Sequence, residues 1–335
     1  MLNAAAKPLV KLVERYLPDP YIFVLLLSIV VFTAAVLLQQ HSPLQVLQYW
    51  GDGFWGLLSF SMQMLLVLVT GFMLANTPLV RGILDRLAKL ANSAGQAIVL
   101  VSLISLIASW LNWGFGLVVG ALFAKALAKR VKVDYRLLVA SAYSGFIVWH
   151  GGLAGSVPLT IATPNHFSAS QIGVIPTNET IFAGFNLLLV AILFVAVPLV
   201  NYLMQPKADE SVYVDPAKLR DDVHVKSQSN RPADKLENSI VLGLLVGFAG
   251  LAYLVQYFVK GGSLNLNIVN YLFLFLAIVL HGTPSRLLHS LQQAIKGGAG
   301  IVIQFPFYAG IMAIMVQSGL AQSMSQWFVS FASAE

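Results

Sequence analysis

Apolar and polar positions fall into long blocks along this chain instead of alternating. Eight apolar runs stand out, at residues 21–38, 54–76, 94–124, 137–163, 181–204, 239–259, 265–281 and 297–318. A helix rises about 1.5 Å per residue, so ~20 apolar residues cross a hydrocarbon core of about 30 Å. Backbone groups in hydrocarbon must find partners within their own segment, which favours helices. The pattern therefore predicts an all-α polytopic membrane protein. The first run follows Lys7, Lys11 and Arg15, as a leader's hydrophobic stretch would. Its length suits a spanning helix, and Gln39-Gln40-His41-Ser42-Pro43 is not a small-residue cleavage site, so it reads as a retained helix. Ahead of it, residues 1–20 read as an amphipathic segment on the inner surface. Val10, Val13 and Leu17 share one face, Lys11, Glu14 and Arg15 lie elsewhere, and Pro18 and Pro20 end it.

The third run, 94–124, is too long for one ordinary span and has basic residues on both flanks. Arg81, Arg86 and Lys89 precede it; Lys125, Lys129, Arg130 and Lys132 follow it. Loops rich in Lys and Arg stay cytoplasmic, so both ends belong on one side. Asn112-Trp113-Gly114-Phe115-Gly116 interrupts the middle. Two half-length helices meeting at that tip make a re-entrant hairpin, and every Lys and Arg except Lys260 then becomes cytoplasmic, as does the N-terminus. A single long tilted helix is the plainer alternative. The fourth run, 137–163, is expected to be a broken helix, opened by His150-Gly151-Gly152-Leu153-Ala154-Gly155-Ser156-Val157-Pro158.

Segment 205–238, with six basic and seven acidic residues and three prolines, reads as a cytoplasmic linker. Around it an internal repeat emerges at one constant offset. Ser42-Pro43 matches Thr283-Pro284, Gly56 matches Gly297, Gln63 matches Gln304, Asn76 matches Gln317 and Leu79 matches Leu320. The first copy starts outside and the second inside, the inverted plan of many secondary transporters. The expected organisation is thus 21–204 as a first membrane repeat and 239–335 as a second, incomplete one that stops where its own hairpin is due.

Composition sharpens this picture. Of 335 residues 58% are hydrophobic and 10% charged, against about 25% charged in soluble domains. No Asp, Glu, Lys or Arg falls within an apolar run, as the cost of charge in hydrocarbon demands. With no cysteine, disulfides and thiolate chemistry are excluded. The net charge of +6 is a matter of topology and does not point to nucleic acid. No His/Asp/Glu cluster has metal spacing, no Gly-rich phosphate loop occurs, and His150-Gly151-Gly152 lacks the Gly-x-Ser-x-Gly elbow of a hydrolase. No enzyme is expected.

The candidate chemistry lies where helices break. A helix N-terminus offers free N–H groups and a positive dipole end to a carboxylate, while freed carbonyls suit sodium. Asn112, Trp113, Gly114, Phe115 and Gly116 form one candidate substrate site, and Gly151, Gly152 and Ser156 a second, with Trp113, Phe115 and Trp149 walling a short apolar tail. The bland reading is that these glycines, with Gly145 and Gly155, serve helix packing. Gln63 and Gln304 are amides on matching helices, for interhelical bonding or substrate contact. His150 reads as the one titratable side chain within a span, either a proton-coupling residue or a structural histidine. Asp52 is expected to cap a helix starting at Phe54. No cofactor is expected; coupling would be to Na+ or H+. The partners are a small carboxylate, the bilayer and, for a homodimer, a second copy of the chain.

Leu17-Pro18-Asp19-Pro20, Trp50-Gly51-Asp52-Gly53-Phe54-Trp55, the stretch from Asn112 to Gly120, and Gln304-Phe305-Pro306-Phe307-Tyr308-Ala309-Gly310 resemble the bacterial short-chain fatty acid transporter family. The resemblance runs along the whole chain. It implies an inner-membrane carrier for acetoacetate, butyrate or similar acids, within an ion-transporter superfamily known for paired hairpins and elevator-like movement. Family members are longer, their additional part carrying a second hairpin with an Asn-Phe-x-x-Pro-Ser-Gly-Gly-Gly stretch, which agrees with the incomplete repeat. A non-transporting fragment of such a carrier is the competing expectation. The family pattern has glycine where this chain has His150, so coupling through His150 would not be a family mechanism.

Overall fold

The protein is described by a computed structural model covering residues 8, 10, 12, 13, 15–219 and 231–331. Half of the expected N-terminal amphipathic segment 1–20 and the middle of the 205–238 linker lie outside these residues. Among the described residues the regular structure is entirely helical. Among the described residues seven helices are long and apolar enough to cross a membrane, which makes this a multi-pass membrane protein. They include Pro20–Leu38, Leu58–Ala75, Gly184–Leu203, Ile240–Val259 and Ala299–Gln317. Large apolar side chains such as Leu26, Ile29, Leu188 and Val241 are exposed along them, as lipid-facing positions require.

Three short helices outside the apolar runs share one start signal, a Ser or Thr followed by Pro. Ser42, Thr77 and Thr283 each accept a backbone N–H three residues on, and Pro43, Pro78 and Pro284 open the helices Pro43–Gly53, Pro78–Ala88 and Pro284–Lys296. A hydroxyl cap satisfies an orphan donor, and proline at the first helical position sacrifices an N–H that has no partner anyway. Asp52 does not cap the next helix as expected. It sits inside Pro43–Gly53, and the following helix starts only at Leu58.

The chain divides into two compact units. The larger includes Leu66–Gly297, and its core is built on the third run. That run is not one tilted helix. Ala94–Leu111 and Trp113–Ala128 meet at Asn112, whose backbone is extended. The arms fold back on each other, since Gly116 lies against Ser109 and Gly120 against Ser105. They are also longer than half-spans, at 18 and 16 residues, or about 24–27 Å of helix. Ile98, Phe123, Leu127 and Leu138 are fully buried between the hairpin and Tyr135–Ser144. Lipid is as apolar as these side chains, so close packing holds them together more than water exclusion does. Asn201 adds polar glue, donating to Ser102 Oγ at 2.9 Å and Ser144 Oγ at 2.8 Å.

The smaller unit comprises Pro8–Leu65 and the chain from Gly298 onwards. Pro20–Leu38 and Pro43–Gly53 pack on Ala299–Gln317 through Val24, Val31, Ala35, Val46, Ile311 and Ile314. Trp50, Phe54 and Phe307 form an aromatic cluster with centroids 4.7–6.0 Å apart. Gly310 lies beneath Trp50, with no room for a side chain.

Candidate functional site

Asn112 ends one helix and begins the next. Its own N–H reaches Ala108 O, its Oδ1 accepts from Phe115 N at 2.9 Å, and its carbonyl accepts from Gly116 N at 2.8 Å. A short side chain that can accept locally is what lets a helix stop and restart within one residue. Asn112 is fully buried, and its Nδ2 has no hydrogen-bond partner. Two neighbours share this condition. Ser109 Oγ, at the last turn of the first arm, and Trp113 Nε1, at the first turn of the second, are buried and unpartnered. Three donor-bearing groups thus sit unused where a helix N-terminus begins. Buried donors without partners are rare because each costs ~1–3 kcal/mol.

The glycines of this tip answer to packing. Gly114 lies on the backbone of Val67 and Leu68, Gly116 on Ser109, and Gly71 beside Phe115 N and Asn112 Oδ1. A β-carbon at any of these would collide with backbone. The aromatic residues divide: the Trp113 and Trp149 rings approach at 5.7 Å, while Phe115 pairs with Phe273 at 6.0 Å.

The second interruption falls where the sequence places it. Tyr135–Ser144 tightens into a 3-10 segment, Gly145–Gly151, then opens and resumes as Ser156–Ile161 behind Gly155, which gives no side-chain cap. Gly152 and Ser156 are buried and Gly151 half-buried. The Gly151 carbonyl is not open to an ion, because Trp110 Nε1 at 3.1 Å and Asn186 Nδ2 at 3.0 Å both donate to it. His150 is exposed, its ring 3.9 Å from that of Trp149. Nor is it the one titratable side chain in an apolar segment. His281 closes Leu266–His281, is buried, and lies 2.8 Å from Met73 O. Gln63 and Gln304, both half-buried, belong to the smaller unit, whereas the other candidates belong to the larger. Among the described residues no group of three or more His, Asp or Glu could hold a metal ion.

Sequence reasoning passed over Ser109, Trp110, Asn186 and Asp134. The first carried a readable signal, since Ser102, Ser105 and Ser109 recur at helical spacing on one face. Asp134 lies just outside the apolar part of the broken helix and caps it through Leu137 N at 2.8 Å. It also accepts from Val212 N at 2.7 Å and from Arg136 at 3.2 Å, while Tyr135 N donates to Val212 O. Burial pushes its carboxyl pKa up, but the N–H groups of Val212 and Leu137, with the Arg136 guanidinium, outweigh this and hold it below the usual value.

Comparison with known proteins agrees with this picture. The family model described as short chain fatty acid transporter matches residues 1–335. A protein of Escherichia coli (strain K12) named "Putative short-chain fatty acid transporter" is 39% identical over 340 residues, covering 100% of this chain and 77% of the relative. One of the same name from Haemophilus influenzae is 40% identical over 347 residues, covering 100% and 78%. No solved structure matches the chain. The membrane helices, the four motifs in order and a family match along the whole chain together establish that this chain belongs to the short-chain fatty acid transporter family.

Proposed function

We propose that the chain is a secondary transporter that moves short-chain carboxylates such as acetoacetate or butyrate across the bacterial inner membrane, in symport with Na+ or H+. The observation that carries this reading is the set of buried, unpartnered donors at Ser109 Oγ, Asn112 Nδ2 and Trp113 Nε1. An ionised carboxylate only accepts hydrogen bonds. Donors at the positive end of the Trp113–Ala128 dipole, with no buried cation beside them, match such a ligand and leave it free to dissociate. The Trp113–Trp149 pair would face its short apolar tail. Gly151, Gly152 and Ser156 are the candidates that complete the site on the broken segment, and His150 is the candidate for proton coupling.

The transporter plan draws support from the order of helices. Pro43–Gly53, Leu58–Ala75 and Pro78–Ala88 are followed, at the offset of the sequence repeat, by Pro284–Lys296, Ala299–Gln317 and Leu320–Phe331. On this plan the hairpin re-enters from the cytoplasmic side, the N-terminus is cytoplasmic and 205–238 links the two repeats; a second copy of the chain is the remaining candidate partner.

Reconstitution into proteoliposomes tests the proposal. Saturable uptake of radiolabelled butyrate or acetoacetate, lost on Asn112→Ala, is the expected result. Normal uptake by Asn112→Ala would remove the site assignment. Absence of saturable uptake by the unsubstituted chain would overturn the function, and uptake competed only by a different organic anion would move the substrate within the carboxylate class.

A further inference from the structure

The two interruptions are fastened to each other at one place. Trp110 is the residue between Ser109 and the helix end, so it sits among the unpartnered donors in sequence. Its carbonyl accepts from Leu153 N at 2.7 Å, and its indole Nε1 donates to Gly151 O at 3.1 Å. Gly152, held between these two bonds, has an extended backbone and lies directly on the Trp110 main chain. A β-carbon there would come within 2.8 Å of Trp110 Cα. From the other side Asn186, in the first turn of Gly184–Leu203, donates to Gly151 O at 3.0 Å and to Ile181 O at 2.7 Å. One carbonyl therefore receives a donor from the hairpin and a donor from a separate helix.

We infer that Trp110, Gly152 and Asn186 form a clasp that holds segment 151–153 on the last turn of the hairpin arm, and that Trp110 and Asn186 are positioning residues for the donors at Ser109, Asn112 and Trp113. The inference rests on the reading of those donors as the carboxylate site. The physical case has two parts. Non-helical backbone in hydrocarbon persists only where its polar groups are satisfied by protein. At 151–153 Gly152 bonds locally to Trp149 O and Gly155 N, while the Gly151 carbonyl and the Leu153 N–H depend on Trp110 and Asn186. The donors flank Trp110 on both sides, so any displacement of the clasp turns the helix end that carries them. A ligand held by directional hydrogen bonds loses affinity when its donors rotate.

Because neither residue is placed against the ligand, their removal should weaken binding and leave the maximal rate largely intact. Trp110→Phe deletes the indole N–H and keeps an aromatic ring. Asn186→Leu deletes the other donor to the same carbonyl, and Asn186→Gln restores an amide. Two measurements on the full chain in lipid decide the matter. The first is amide hydrogen exchange at residues 151–153, where Leu153 N–H reports the clasp without any ligand. Each donor deletion is expected to speed exchange there by about tenfold, the effect of one hydrogen bond, with residues 97–105 unchanged. The second is concentration-dependent uptake of butyrate. KM is expected to rise about fivefold to tenfold with Vmax within about twofold, and Asn186→Gln to recover part of the loss.

Unchanged exchange at 151–153 in both variants would overturn the clasp. Faster exchange with unchanged KM would overturn the positioning role and leave a purely structural tie. Should the unsubstituted chain show no saturable butyrate uptake, the reading of the site fails, while the exchange experiment still decides whether the clasp exists.

Discussion

At Asn112 the chain breaks a helix with a single residue, whereas between Gly151 and Gly155 it spends a whole loop on the same task. The first break is closed from within, by a side chain that accepts one N–H and a carbonyl that accepts another. The second has no side-chain cap and, beside local bonds of Gly152 to Trp149 O and Gly155 N, borrows partners for the Gly151 carbonyl and the Leu153 N–H from Trp110 and Asn186. The contrast shows two ways to interrupt a membrane helix. Local capping makes a compact tip whose remaining donors can be left for a ligand. Borrowed partners make a segment that is only as ordered as its neighbours allow.

The largest expected effect separates two adjacent glycines in the second break. Gly152→Val places a side chain inside the Trp110 backbone and should cost more than ~4 kcal/mol, leaving no monodisperse protein after detergent extraction. Gly151→Val meets mainly the Asn186 side chain, which can swing away, and should still fold with a lowered melting temperature. Equal behaviour of the two would erase the distinction between backbone and side-chain partners.

Next in size is a contrast at the first break. Asn112→Ala should lower stability by ~1 kcal/mol through loss of the cap and reduce butyrate uptake by about a hundredfold through loss of the donor. Asn112→Ser keeps an acceptor for the cap, so it should recover the stability and not the uptake. Recovery of both would mean that Asn112 acts only as a cap.

A smaller effect is expected at Trp113. Trp113→Phe removes a buried donor that has no partner in the protein, so its melting temperature should fall by no more than loss of ring volume explains. Uptake should drop by about tenfold if the donor serves the ligand. A large loss of stability with normal uptake would instead mark the indole N–H as structural.

The smallest effect concerns the start of the broken helix, where Asp134 is a charged cap placed outside the apolar segment. Its folded pKa is lowered, so its contribution is present above the unfolded value of about 4 and fades as pH falls through the folded one. Melting curves from pH 7 to pH 3 should therefore narrow the gap between the unsubstituted chain and Asp134→Asn. A gap that stays constant across this range would show that the carboxylate charge contributes nothing to the fold.

Much of this was legible before any coordinates. The run lengths indicated membrane helices, because the bilayer imposes a length and an apolar composition that a linear sequence displays directly. The break at Asn112 was equally legible, since a capping asparagine followed by two glycines acts on its immediate neighbours. Asp52 misled for the opposite reason. A residue type suited to capping was present, but Pro43–Gly53 had already been started by Ser42-Pro43 and continued through it.

What the sequence determined by itself was the all-helical membrane class, the two interruptions and the polar residues available at them, all consequences of local chemistry and the length of hydrocarbon to be crossed. The tertiary structure alone decided which of those polar groups remain unpaired and which are consumed. Ser109, Asn112 and Trp113 keep free donors, while the Gly151 carbonyl is taken by Trp110 and Asn186 and the Asp134 carboxylate by Val212. Those partners lie 35 to 78 residues away along the chain. No periodicity records them, because a hydrogen bond depends on where two distant segments come to rest.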